Sequence, residues 1–101
     1  MPAKPSYVDA PAELRAKCRL RNGMSAEMLV LDISAGGCMV EARGWSGRQG
    51  ERVLLTLPGL AAQPGEVVWV EDERAGIAFE DALYEPVLVR FEQMLAEASA
   101  R

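Results

Sequence analysis

From Leu14 onward apolar and polar side chains alternate without a break, Leu14, Ala16, Cys18 and Leu20 in one set and Arg15, Lys17, Arg19 and Arg21 in the other. Successive side chains of an extended chain point to opposite faces, so Leu14 to Arg21 is predicted as a first strand with one face in a core and a row of cations on the other. Asn22-Gly23 is a strong signal for the turn that ends it. Glu27 to Ile33, rich in Leu, Val and Ile, reads as a second strand; Ser34-Ala35-Gly36-Gly37 interrupts it, and Cys38 to Ala42 reads as a third. The Gly-rich loop Arg43 to Gly50 separates a fourth, Arg52 to Leu57, which runs into a turn at Pro58-Gly59. Pro64-Gly65 opens a fifth, Glu66 to Glu71, and Asp72-Glu73 links it to a sixth, Arg74 to Glu80.

The period then changes. Tyr84, Val87, Leu88, Phe91 and Leu95 fall at helical spacing with acidic residues between them, which predicts an amphipathic helix over 84–98 with Pro86 in its first turn. Six short strands joined by Gly- and Pro-rich turns point to a mainly β fold, a closed or nearly closed antiparallel barrel, and the helix stripe is suited to closing one of its mouths. Residues 1–13 carry Pro2, Pro5 and Pro11 without periodicity and read as an N-terminal arm, leaving 14–98 as one barrel domain with its helix.

Composition narrows the function more than the fold. At 101 residues, 50% hydrophobic and 26% charged, the chain is long enough for one core without metal or disulfide staples. A net charge of −4 argues against a nucleic-acid polymer as partner, although the cations of the first strand leave room for a local anion site. There is no histidine, and the two cysteines, Cys18 and Cys38, are not in a CxxC pair, so neither a zinc site nor a cysteine-histidine nucleophile can be assembled. Both read as buried apolar fillers; a Cys18–Cys38 disulfide stays open, but nothing marks the chain as secreted, and the cytoplasm is the default compartment. No stretch approaches the ~20 apolar residues of a membrane span. The carboxylates Asp32, Glu41, Glu51 and Glu71 lie on separate strands and form no acid-base pair, so an enzyme is the weakest reading.

The segment Asp32-Ile33-Ser34-Ala35-Gly36-Gly37 is the most informative. Asp and Ser two apart at a strand end project the same way, and two glycines allow a tight turn with exposed amides. Taken alone, it reads first as a polar turn in which Asp and Ser bond their own backbone.

Asp32-x-Ser34-x-x-Gly37 resembles the [D/N]-x-S-x-x-G signature of PilZ domains, and Gly65-Glu66-Val67-Val68-Trp69-Val70 followed by Ala75-Gly76-Ile77-Ala78-Phe79 resembles that family's last two strands. The resemblance spans roughly residues 14 to 80. It implies a six-stranded antiparallel barrel with a C-terminal helix and a receptor for the bacterial second messenger cyclic di-GMP, without a cofactor. In such a receptor Asp32 and Ser34 would bond a guanine edge, Gly37 would let the backbone approach, and an upstream R-x-x-x-R would grip phosphate, as guanidinium forks do.

The segment ahead of the first strand, Lys4-Pro5-Ser6-Tyr7, holds no arginine; the literal match is Arg15-Ala16-Lys17-Cys18-Arg19. Two placements follow. If Leu14 to Arg21 is a strand, Arg15 and Arg19 share its outer face and the wrapping motif is missing; if the strand starts later, they are the phosphate grip on a shortened arm. The unbroken alternation favours the strand. The corresponding expectations are a cyclic di-GMP effector with Asp32, Ser34, Gly37, Arg15 and Arg19 as ligand residues, or a degenerate PilZ adaptor acting through a protein partner. Trp69 reads as core or barrel wall, and Trp45, in the Gly-rich loop, as an exposed residue free to face a partner.

Overall fold

The computed structural model describes residues 13–99. Residues 1–12, which hold nearly all of the expected arm, lie outside them. The described chain forms six strands and one helix: β1 (Arg15–Leu20), β2 (Ser25–Ser34), β3 (Gly37–Glu41), β4 (Arg52–Thr56), β5 (Gln63–Glu71), β6 (Arg74–Phe79) and α1 (Glu85–Ser99). The strands close into an antiparallel barrel in the order β1-β2-β3-β6-β5-β4, with β4 pairing back onto β1. Closure pairs every strand on both sides and leaves no open sheet edge.

The alternation along β1 survives intact: Leu14, Ala16, Cys18 and Leu20 are buried, while Arg15, Lys17, Arg19 and Arg21 are exposed. The same inward set from the other strands, including Met28, Val30, Val40, Leu55, Val67 and Ile77, fills the barrel, and no polar or charged side chain is buried among the described residues. The expected turn at Asn22-Gly23 forms, with Gly23 at φ 92° and the Asn22 side chain accepting from the Met24 N–H at 2.9 Å. Cys18 and Cys38 are both buried in this interior as free thiols. Burial, then the charge of Glu51, pushes the Cys18 thiol up to about 11; burial, then Cys18 itself, pushes Cys38 up to about 12.

Most element ends fall within one residue of the sequence reading, but β2 starts two residues earlier, at Ser25 rather than Glu27, and β5 three. β5 begins at Gln63 rather than Glu66, because Pro64-Gly65 enters the sheet: Pro64 has no N–H to give, but its carbonyl accepts from the Glu80 N–H at 2.9 Å. At Gly65 the Ala78 carbonyl oxygen comes so near that a Cβ would lie 2.7 Å from it. The helix runs from 85 to 99, one residue later than expected. It packs on β2, and Phe91, with no solvent exposure, joins the hydrophobic core. Arg90 lies 5.5 Å over the Phe91 ring and donates to the Pro58 carbonyl at 3.3 Å, fastening the helix to the loop after β4.

Candidate functional site

β2 and β5 each contain a β-bulge. On β2 the register shifts between Val30 and Asp32, so Leu31 is an extra residue; on β5 it shifts between Val67 and Trp69, with Val68 extra. Strict alternation from the buried Val30 and Val67 would send Asp32 and Trp69 into the core. Each bulge turns its next residue outward instead.

The two re-aimed residues face one another across the outer wall. Asp32 opposes Met39, Met39 opposes Gly76, and Gly76 opposes Trp69, so a single row crosses β2, β3, β6 and β5. Three strand spacings separate its ends, about 14 Å. The next row runs Ser34, Gly37, Ala78, Glu66. Small residues at Gly37, Gly76 and Ala78 leave an open groove of about 390 Å³ between Asp32 and Ser34 on one side and Val68 and Trp69 on the other.

The glycines have structural reasons. A Cβ on Gly76 would collide with the Trp69 indole, which therefore lies flat across β6 toward the groove, still 36% exposed. A Cβ on Gly37 would collide with the Ile77 carbonyl oxygen, so this position is glycine because β3 and β6 approach closely there. Gly36 has open space around its Cα. The exposed Asp32 side chain accepts through Oδ1 from the Ile33 N–H at 2.9 Å, and the Ser34 hydroxyl donates to the Gly37 carbonyl at 3.3 Å. These local bonds hold the turn, and among the described residues the second Asp32 oxygen has no hydrogen-bond partner.

Of the residues expected to act together, Asp32, Ser34 and Gly37 share this groove and Arg15 and Arg19 do not line it. Arg15 and Arg19 lie on the outer face of β1, the strand beside β2, with Arg15 opposite Leu29, three residues before Asp32; the groove opens on the other side of β2, over β3, β6 and β5. Arg15 pairs with Glu13 at 2.9 Å and borders a separate cavity with Trp45; Arg19 borders another with Arg21 and Arg52. Among the described residues, no Lys or Arg lines the Asp32 groove. Trp45 is not the exposed residue expected of a Gly-rich loop: it is half-buried against the core, its ring lying where a Cβ of Gly47 would be. Trp69 is the groove residue that the sequence reading put in the wall; its neighbour in register, a glycine with no side chain of its own, is the signal that could have found it.

The sequence of the whole chain decides the family. It matches the PilZ domain over residues 8–96. The chain belongs to the PilZ domain family. PilZ domains are binding and effector domains that generally take cyclic di-GMP, and the closed six-stranded barrel with its C-terminal helix agrees with that membership. No curated protein matches the chain. Among the described residues no helix is long and apolar enough to cross a membrane, and no group of three or more His, Cys, Asp or Glu could hold a metal ion.

Proposed function

We propose that this PilZ domain is a cyclic di-GMP effector module that takes the dinucleotide by one guanine in the Asp32–Trp69 groove, binding it without transforming it, in the cytoplasm. The observation that carries the reading is the pair of bulges that turn Asp32 and Trp69 out of the core toward the same small-residue floor. The Watson–Crick edge of guanine offers two adjacent N–H donors, which the two oxygens of a carboxylate match. Ser34 stands beside Asp32 on the same face, and the exposed indole of Trp69 offers an aromatic surface at the far end of the row.

The cation-free lining sets the expected strength. With no guanidinium in the described groove to grip phosphate, affinity rests on the guanine half of the ligand and is weak. Calorimetric titration tests this: saturable heat is expected at about 100 μM cyclic di-GMP, equivalent to ~5.5 kcal/mol. Asp32→Ala removes a charge-assisted contact of about 1.5–3 kcal/mol and lowers affinity roughly ten- to hundredfold. Absence of saturable heat from the folded wild-type chain at that concentration refutes the receptor reading.

A second reading is favoured by the absence of Arg15 and Arg19 from the groove lining and by the exposed run Val68, Trp69, Val70. In it the domain is an adaptor whose groove face meets a protein partner. It expects a folded, titration-silent chain.

A further inference from the structure

The wall of β1, β4 and the first residues of β5, none of which lines the Asp32 groove, is electrically divided. Arg19 opposes Leu54 in register and Leu54 opposes Pro64, whose carbonyl accepts from the Glu80 N–H at 2.9 Å. One row therefore passes from a cation, over an apolar centre, to an anion. Arg21 and Arg52 border the same open groove as Arg19, about 340 Å³ in volume, and Leu54 in its floor is 41% exposed. Neither Arg19 nor Arg21 has an ion-pair partner among the described residues. At the other end the exposed Glu80 is followed by the exposed Asp81. A single ion pair, Arg52 Nη2 to Glu80 Oε2 at 3.3 Å, spans the divide.

We propose that this wall is a self-complementary surface through which two copies of the chain pair about a two-fold axis passing near Leu54. Such an axis sets Arg19 and Arg21 of each copy against Glu80 and Asp81 of the other and buries the two Leu54 side chains between them, as an isologous contact requires. The barrel is closed, so a partner cannot join by adding a strand and has to be recognised by side chains. A long polyanion or an anionic membrane that met the arginines would also meet Glu80 and Asp81. The surface that satisfies both ends carries the same charges in reverse order, which is what a second copy presents. The net charge of −4 opposes association in general, so the pairing depends on these local contacts and is salt-sensitive.

Sedimentation velocity of the whole chain tests the pairing. The mass expected is 11.0 kDa in dilute solution, rising toward twice that between about 10 μM and about 1 mM, and falling back in ~1 M salt, where the Debye length is about 3 Å. The double variants Arg19→Glu/Arg21→Glu and Glu80→Lys/Asp81→Lys, each confirmed folded by circular dichroism, are expected to be monomeric when alone. Mixed in equal amounts they restore both contacts of the pair and form a heterodimer. A wild-type chain that stays monomeric at ~1 mM overturns the proposal, as does a variant that dimerises like wild type or a mixture that remains monomeric.

Discussion

Adding one methyl group to Gly76 and one to Gly36 should change stability in opposite directions, although both glycines border the same groove. At Gly76 the new Cβ falls on the Trp69 indole. The β6 backbone is held by β3 and β5 on either side, so the ring is what yields, swinging away from the wall. Trp69 is now 36% exposed. Freeing it uncovers on the order of 60–100 Å² of apolar surface, which at ~25 cal/mol per Å² costs about 1.5–2.5 kcal/mol. For a domain of this size each 1 kcal/mol shifts the melting temperature by roughly 4–8 °C, so Gly76→Ala should melt about 6–20 °C lower. At Gly36 nothing lies within 4 Å of the added Cβ and the backbone is outside the left-handed region. Gly36→Ala should therefore leave the native state unstrained and gain about 0.4–1 kcal/mol by restricting the unfolded chain. Thermal melts give the stability, and tryptophan emission in a Trp45→Phe background gives the ring, with a red shift expected for Gly76→Ala alone. An unchanged emission maximum and an unchanged melting temperature in Gly76→Ala would refute the claim that this glycine exists to seat the indole.

Other expectations follow from single features. The β5–β6 turn places Asp72 at φ 53° and Glu73 at φ 62°, left-handed values that cost a residue with a Cβ about 1–2 kcal/mol, so Glu73→Gly should raise the melting temperature by several degrees; a fall would show that Glu73 is held by its ion pair with Arg43 at 3.4 Å instead. Both thiols have folded pKa values above their ordinary 9.0, about 11 for Cys18 and about 12 for Cys38, so the neutral thiols favour the fold. Their contribution is complete below pH 9 and is lost as pH rises through the folded values. Denaturant midpoints should accordingly fall above pH 9 in wild type and less so in Cys18→Ala/Cys38→Ala, and a thiol-specific disulfide reagent at pH 8 should react at least ~100-fold faster with the unfolded chain. Equal rates in the two states would place the thiols outside the core.

The barrel and its helix were legible in the sequence because local rules and global burial agree along most of the chain. Leu14 to Arg21 alternates without a break, Asn22-Gly23 is chemically a turn, and the apolar positions after Tyr84 change to helical spacing. The Asp32, Ser34 and Gly37 half of the candidate site was legible as well, since a resemblance of spacing does not depend on knowing which way a side chain points. The other half was not. Period-2 reasoning carries Trp69 inward from Val67, and only the pairing of β5 with β6 reveals the extra residue that turns it out. The same holds for Asp32, which faces solvent only because Leu31 is unpaired against β3.

Which residues meet across space was decided by closure. Arg15 and Asp32 are 17 positions apart and do lie on neighbouring strands of the β1–β2 hairpin, Arg15 opposite Leu29; the ring order opens the groove on the other side of β2, over β3, β6 and β5, so the arginine row lines none of it. Strand order, bulge position and the choice of Gly37 and Gly76 come from contacts between strands distant in sequence, where a carbonyl or an indole fills the space that a side chain would need. Alternation, turn chemistry and helical period are properties of neighbouring residues, so the sequence alone determined the elements. The groove and the divided wall are properties of strands brought together, so only the tertiary structure could decide them.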